Sequence, residues 1–241
     1  MGPVIFSNAD ELSVSVAEWM IGYITDVLKK KDRFTLVLSG GSTPKKLYQL
    51  LASEKYSSQV DWSKIHFFWG DERYVPFDDE RNNAKMAFDT LLNKVPVNKE
   101  HIHIMRTDVE PKESAAAYEL LLKQYFTDGA VSFDLVLMGI GDDGHTLSLF
   151  PGYDNIHERV KWVMAFHLAE QKMHRITLTV PIVNRASKVA FLVSGAAKAT
   201  PLLHILYKEH EPDVYPAQLI QPYKERPYWF IDKAAATELE E

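Results

Sequence analysis

Short apolar runs, each followed directly by a polar loop that contains glycine, constrain the fold of this chain more than any other feature. Four such runs cover residues 35–38, 65–69, 135–138 and 189–193. Their length and unbroken apolar character predict strands that are covered on both faces. Stretches with helical spacing of apolar residues separate them, and this alternation indicates an α/β fold with a mainly parallel sheet and helices on both faces. We expect residues 1–241 to form a single domain.

The remaining pattern predicts further helices and strands. Asn8 and Glu11 form a variant capping box before the first helical stretch, Pro44 is expected at the first position of the second helix, and Asp232 is expected to cap a short terminal helix. Helices are predicted over residues 12–27, 44–51, 84–92, 111–125 and 197–207, and further strands over 102–105, 162–166, 176–180 and 229–231.

Composition excludes several classes of protein. The chain has no cysteine, which removes disulfides, thiolate metal sites and thiol nucleophiles. A net charge of −6 gives no support to a nucleic-acid partner, and no apolar run is long enough for a membrane span. The N-terminus has no basic segment followed by an apolar stretch, so we expect a cytoplasmic protein. No obligate protein partner is evident in the sequence.

The loop after residues 135–138 carries the strongest functional signal. Three glycines, two adjacent carboxylates and a histidine follow the apolar run, in the order Gly139-Ile-Gly141-Asp142-Asp143-Gly144-His145. A structural turn needs the glycines but not the acidic residues and the histidine. Open α/β sheets bind their ligands at the carboxyl ends of strands, so His145 and Asp143 are the candidate catalytic residues.

The same glycines fit a dinucleotide-binding pattern, Gly139-x-Gly141-x-x-Gly144. Asp142 and Asp143 occupy its variable positions, where their negative charges would oppose a diphosphate. No acidic residue ends the next strand-like run to hold a ribose hydroxyl. The sequence therefore disfavours a nicotinamide cofactor, and we expect no cofactor.

A second loop, after residues 35–38, is a candidate phosphate site. Gly40 and Gly41 allow backbone N–H groups to face an anion, Ser42 and Thr43 add hydroxyl donors, and the following helix contributes its N-terminal amides. The alternative is an ordinary glycine turn with helix-capping residues. The segment lacks the Gly-Lys-Ser/Thr of a nucleotide P-loop.

Charged residues in the other loops are candidate substrate ligands. Asp71 and Arg73 follow the run 65–69, Lys198 follows 189–193, and Arg175 begins a predicted strand. Arginine presents a planar fork that suits phosphate. Each of these residues has a simpler interpretation, as a partner in a local ion pair or as a solvated surface charge. Because strand ends of a parallel sheet meet at one edge, we expect the four loops to converge.

These loops together resemble the 6-phosphogluconolactonases, and the resemblance covers nearly the whole chain. The matching segments are Ser39-Gly-Gly-Ser-Thr-Pro44, Trp69-Gly-Asp-Glu-Arg73 with Val75-Pro76, Gly139 to Gly152 ending Leu-Phe-Pro-Gly, Arg175-Ile-Thr-Leu-Thr, Asn184-Arg-Ala, and Trp229-Phe-Ile-Asp232. The resemblance implies a three-layer α/β/α sandwich with a Rossmann-like sheet. It also implies metal-independent hydrolysis of 6-phospho-D-glucono-1,5-lactone in the oxidative pentose phosphate pathway.

The related glucosamine-6-phosphate isomerases are the alternative within this resemblance. They carry tyrosine where Arg73 stands, and they place a glutamate where Phe150 aligns. Both departures favour the lactonase, whereas Leu147 departs from its usual alanine without affecting the chemistry. The resemblance implies that His145 is a general base, and that Asp143 orients it, holds the loop or accepts from a substrate hydroxyl. Of the cations Arg73, Arg175 and Lys198, either all hold the phosphate or one faces the lactone carbonyl oxygen. A non-catalytic sugar-phosphate binder is a further alternative, which would not need His145.

Overall fold

The computed structural model describes residues 2–127 and 131–239, which contain nine strands. The strands are β1 (Val4–Phe6), β2 (Phe34–Leu38), β3 (Ile65–Trp69), β4 (Asp71–Arg73), β5 (Leu135–Met138), β6 (Val163–Leu168), β7 (Met173–Leu178), β8 (Lys188–Val193) and β9 (Tyr228–Asp232). Six of them form a parallel sheet in the order β1-β9-β8-β5-β2-β3. The predicted α/β fold with a mainly parallel sheet is confirmed.

Helices connect these strands. They are α1 (Ala9–Leu28), α2 (Ser42–Leu51), α3 (Glu54–Ser57), α4 (Asn83–Ala87), α5 (Pro111–Tyr125), α6 (Val180–Val183) and α7 (Ala199–Tyr207). Asn8 caps α1 as predicted, because its side-chain oxygen accepts from the N–H groups of Asp10 and Glu11 at 2.9 and 3.0 Å. Helix α2 begins two residues earlier than predicted, so Pro44 is its third residue rather than its first. Asp232 accepts from the Ala235 N–H at 2.8 Å in the terminal turn.

The main sheet is covered on both faces, and alternate side chains of its strands enter two apolar clusters. On one face Leu36 and Leu38 pack with Leu12 and Val16 of α1. On the other face Val37 lies in a cluster that includes α5 and residues of the smaller sheet. The smaller sheet therefore shares a core with the main one. Among the residues that the structure describes, no helix is long and apolar enough to cross a membrane.

The smaller sheet is antiparallel, with the strand order β4-β7-β6. Its strands β6 and β7 correspond to the predicted strands 162–166 and 176–180. A four-residue turn joins them, and so short a connection permits only antiparallel neighbours. The predicted strand 102–105 is wrong: this segment makes a single bridge between Ile102 and Phe67, because it continues from the turn Lys99–His101 instead of pairing along its length.

Two histidines, one from β3 and one from the segment 102–105, contact one tyrosine hydroxyl. The Tyr125 hydroxyl lies 3.0 Å from Nδ1 of His66 and 2.7 Å from Nε2 of His103, while the rings of His66 and His101 stack at 3.7 Å. Burial lowers the pKa of His66 and of His103 to about 4, and the neighbouring His101 contributes to both shifts. Both histidines are therefore neutral in the folded protein at pH 7.

This burial predicts a loss of stability in acid. The folded-state pKa of His66, about 4, lies below its ordinary value of 6.5, so the unfolded chain takes up the proton first as the pH falls. The free energy of unfolding should decrease from pH 6.5 to pH 4. In His66→Phe this decrease should be less steep, because unfolding then takes up as much as one proton fewer. Urea unfolding across this pH range measures the slope. The exposed His210, replaced by Asn, is the control, and equal slopes for both variants would contradict the prediction.

Candidate active site

The loops that follow β2, β3, β5 and β8 line one cavity of about 260 Å³ at the carboxyl edge of the main sheet. The residues that line it are Ser39, Gly40, Gly41, Asp71, Arg73, Asn83, Gly139, Ile140, Gly141, His145, Leu147, Phe150, Gln171, Arg175 and Lys198. Larger cavities of about 620 and 700 Å³ lie beside α5 and α7. The smaller cavity is the candidate site because the chemically reactive side chains converge there.

His145 and Asp143 form a hydrogen-bonded pair at this edge. Nδ1 of His145 lies 2.5 Å from Oδ1 of Asp143, and the same oxygen accepts from the His145 N–H at 3.1 Å. The imidazole stacks on Phe150 with ring centroids 4.0 Å apart. Burial alone would raise the pKa of Asp143, but the bond to His145 lowers it below its ordinary value. The aspartate is therefore ionised and fixes the tautomer that leaves Nε2 without the proton.

Two glycines make this geometry possible. A Cβ on Gly141 would lie 2.0 Å from Nδ1 of His145, so any other residue would displace the imidazole. Gly144 has a φ of +76°, and a Cβ there would also lie 2.6 Å from Cδ1 of Tyr215. The turn is closed by a backbone hydrogen bond, in which the Gly141 N–H donates to the His145 carbonyl at 2.8 Å. The loop is thus shaped to hold the histidine.

Antiparallel pairing brings two arginines together at the site. Arg73 of β4 pairs with Arg175 of β7, so both guanidinium groups lie on the same face. Arg175 is buried, and burial lowers the pKa of its guanidinium, while Asp71 opposes that shift from 3.9 Å. The Nε atoms of both arginines are buried and have no hydrogen-bond partner in the described part of the chain. Like charges directly opposite on a sheet repel, which favours an anion between them.

Lys198 and the start of α2 complete the cationic side of the cavity. Lys198 forms an ion pair with Asp142, and its side chain is 25% exposed. Gly41 precedes α2 and provides no side-chain cap, so the first amides of that helix have no side-chain acceptor within the described chain. Gly40 and Gly41 line the cavity, whereas Ser42 and Thr43 begin α2 outside the set of lining residues.

The cavity also contains residues that sequence reasoning missed. Asn83 donates from Nδ2 to the Asp71 carbonyl at 3.0 Å, and its backbone N–H donates to Glu72 at 2.7 Å. Burial raises the pKa of Glu72 to about 7, against the three backbone N–H groups that bind its carboxylate. Gln171 arrives from the turn between β6 and β7. Asn82 caps α4 and Asn83 is the first residue of that helix, so a helix-capping signal could have located Asn83, but no local signal marked Gln171.

The site combines a histidine–aspartate pair, a cluster of cationic groups and a helix N-terminus without a side-chain cap. Together with the fold, these features are typical of an α/β protein that binds a small anionic ligand. Within the described residues, no group of three or more His, Cys, Asp or Glu side chains is arranged to hold a metal ion. A metal-independent mechanism stays a prediction from the sequence.

Comparison with known proteins identifies the family. The family of glucosamine-6-phosphate isomerases and 6-phosphogluconolactonases matches residues 7–229. A 6-phosphogluconolactonase of Nostoc sp. is 41% identical over 216 residues, which cover 88% of this chain and 87% of that protein. A 6-phosphogluconolactonase of Synechocystis sp. is 40% identical over 90% of this chain and 89% of its own length. The solved structure of a 6-phosphogluconolactonase from Trypanosoma cruzi superposes with a TM-score of 0.86, at 29% identity, over 99% of this chain and 97% of the other. This chain therefore belongs to that family.

The loop 139–145 should not tolerate a side chain at position 144. We expect Gly144→Ala to lower the free energy of unfolding by about 1–3 kcal/mol, because it combines a left-handed backbone with a contact to Tyr215. Gly22 is the matched control: it lies within α1 with open space around it, and Gly22→Ala should stabilise the protein by ~0.5–1 kcal/mol. Urea denaturation measures both. Equal stability of the two variants would mean that Gly144 is not constrained.

Proposed function

We propose that this protein hydrolyses 6-phospho-D-glucono-1,5-lactone to 6-phospho-D-gluconate, a step of the oxidative pentose phosphate pathway. The observation that carries the proposal is the His145–Asp143 pair, which faces a cavity lined by Arg73, Arg175 and Lys198. The pair supplies acid–base chemistry and the cations suit a phosphorylated ligand. Relatives with up to 41% identity that carry the name 6-phosphogluconolactonase support the same activity. The predicted cytoplasmic location is part of this proposal.

The geometry gives His145 the role of general base. Its Nδ1 is engaged by Asp143, so Nε2 is the nitrogen available to a water molecule. Nε2 takes a proton from the water as its oxygen attacks the lactone carbonyl carbon, and the carbonyl electrons move to oxygen. When this tetrahedral intermediate collapses, the bond from carbon to the ring oxygen breaks and the imidazolium returns the proton to that oxygen. The new carboxylic acid releases its proton to solvent.

Asp143 acts on this reaction through His145. Its carboxylate accepts the Nδ1 proton, which keeps the ring in the productive tautomer and stabilises the imidazolium that forms after proton transfer. The stacking of Phe150 at 4.0 Å restrains the ring in a second direction. Because the ring is already fixed, less conformational entropy is lost in reaching the reactive geometry, and this lowers the activation free energy.

The phosphate end of the substrate is assigned to the cationic groups. The first amides of α2, together with Gly40 and Gly41, provide uncharged donors and the positive end of a helix dipole. Lys198 exchanges its ion pair with Asp142 for the phosphate. Arg73 and Arg175 add guanidinium groups from the smaller sheet. Ser42 and Thr43 begin α2 next to these glycines, and their hydroxyl groups stay predicted phosphate donors from the sequence.

Isomerisation of glucosamine 6-phosphate is the alternative function. In that chemistry a glutamate works with the histidine in ring opening, and the resemblance places this glutamate where Phe150 stands. Phe150 stacks on the imidazole of His145, so an apolar ring occupies the place next to the base. The arrangement favours lactone hydrolysis. An assay of the purified protein on fresh lactone, corrected for spontaneous hydrolysis, beside glucosamine 6-phosphate separates the two activities.

Loss of the base should remove most of the catalysis. We expect His145→Ala to lower kcat by roughly 10²–10⁴-fold, and Asp143→Asn to lower it by at least about tenfold because an amide does not stabilise the imidazolium. Both variants should still bind 6-phosphogluconate by calorimetry. The exposed Asp154, changed to Asn, is the control for loss of one carboxylate. Near wild-type turnover of His145→Ala would overturn the assignment.

Phosphate recognition should separate this enzyme from a general esterase. Charge-assisted hydrogen bonds contribute roughly 1.5–3 kcal/mol each, so Lys198→Met should lower kcat/KM on the phosphorylated lactone by roughly 10- to 100-fold. The slower reaction on unphosphorylated gluconolactone should scarcely change. Lys208→Met, an exposed lysine just after α7, is the matched control. Equal losses on both lactones would assign Lys198 to the reacting carbonyl or to the fold instead of the phosphate.

A further inference from the structure

The turn between β6 and β7 places one residue in the cavity that belongs to none of the motifs in the sequence. A short helical turn, Ala169–Gln171, and Lys172 with a φ of 50° reverse the chain. The Tyr153 hydroxyl holds this turn, since it accepts from the Ala169 N–H at 2.9 Å and donates to Glu170 at 2.5 Å. The backbone that carries Gln171 into the cavity is therefore held in place by hydrogen bonds to Tyr153.

Gln171 makes the closest polar contact of a buried cation. Its Oε1 accepts a hydrogen bond from Nη2 of Arg175. Two carboxylates act on that guanidinium from farther away: Glu72, and Asp71, whose Oδ2 lies 3.9 Å from Nη1 and already accepts the Ser148 hydroxyl at 2.6 Å. Nε of Arg175 has no partner within the described residues. A neutral amide is thus the direct acceptor of this buried charge.

A neutral acceptor and a carboxylate would have different consequences at this position. Either one accepts a charge-assisted hydrogen bond and fixes the direction of the guanidinium, but a carboxylate would also form an ion pair and neutralise the positive charge. Arg73 lies opposite Arg175 in the β4–β7 register, so repulsion between the two cations already disfavours their approach. The amide adds no negative charge of its own, so the guanidinium is compensated only by Asp71, 3.9 Å away, and by the neighbouring Glu72. The pair of arginines keeps its attraction for an anion.

We propose that Gln171 is a positioning residue that orients Arg175 without neutralising it, so that Arg175 and Arg73 together bind the phosphate of the substrate. The proposal rests on the function proposed above and specifies how its phosphate end is recognised. Gln171 itself is exposed, so a change of its side chain need not disturb the core. The identity of this single amide sets how much positive charge the cavity presents.

Two substitutions separate charge from geometry. Gln171→Glu keeps the acceptor and adds charge, whereas Gln171→Met keeps the length and removes the hydrogen bond. We expect Gln171→Glu to weaken binding of 6-phosphogluconate by roughly tenfold, and Gln171→Met to weaken it less. Gln171→Glu should nevertheless raise the Tm, because the buried guanidinium gains a carboxylate partner. Weaker binding with higher stability is an outcome that a merely structural residue would not produce.

The measurements are calorimetric titration with 6-phosphogluconate, thermal unfolding and steady-state kinetics. In the kinetics, Gln171→Glu should raise KM on the phosphorylated lactone with little change in kcat, and this rise should be larger than any change in the unphosphorylated reaction. Gln124→Glu, on the exposed side of α5, is the control for one added negative charge. Unchanged titrations, or a larger loss in Gln171→Met than in Gln171→Glu, would overturn the proposal, as would equal losses of kcat on both lactones. Wild-type protein that binds 6-phosphogluconate with this order of variants but does not hydrolyse the lactone would refute the proposed function alone.

Discussion

The parallel alignment of β2, β3, β5 and β8 is the constraint on which the rest of the site depends. Because these strands run in one direction, their carboxyl ends meet at one edge, and the loops that leave them are forced into contact. Gly40, Arg73, His145 and Lys198 are far apart in the sequence but line a cavity of about 260 Å³ for this reason. The helices and the second sheet secure the geometry by covering both faces of the strands, so the loops are held by a rigid core.

The site is electrostatically costly, and its charges are balanced only in part. Arg73 and Arg175 oppose each other across an antiparallel pair, and both have a buried Nε without a partner in the described residues. Lys198 has its own counter-ion in Asp142. Such an arrangement disfavours the empty site and favours one that contains an anion, since a dianionic phosphate relieves the repulsion that the fold imposes. The repulsion lowers the stability of the folded protein without a ligand, and binding of the anion recovers that free energy as affinity. Such a trade between stability and function is typical of functional sites.

The elements and contacts that could be predicted from the sequence are those that depend on residues close together in the chain. Buried strands show themselves as apolar runs, and His145 with Asp143 is a contact across two residues, so both were accessible from the pattern. Strand β4 was not, because Asp71–Arg73 is entirely charged and is a strand only through its pairing with β7. Gln171 lies in a hairpin turn and reaches the cavity through the register of that hairpin, a tertiary fact with no local signature.

The two sheets consequently divide the work of the site. The main parallel sheet supplies the loop with His145 and the start of α2, whose positions follow from strand direction alone. The smaller sheet supplies Asp71, Arg73 and Arg175 and, through its turn, Gln171. The proposed acid–base chemistry thus depends on the main sheet, while the proposed recognition of the anion draws on Lys198 and the start of α2 from the main sheet and on the two arginines of the smaller sheet, whose strands pack into the shared core. A substitution at Gln171 can alter which anion is bound while the Asp143 bond still holds the imidazole, because that bond lies within the loop that follows β5.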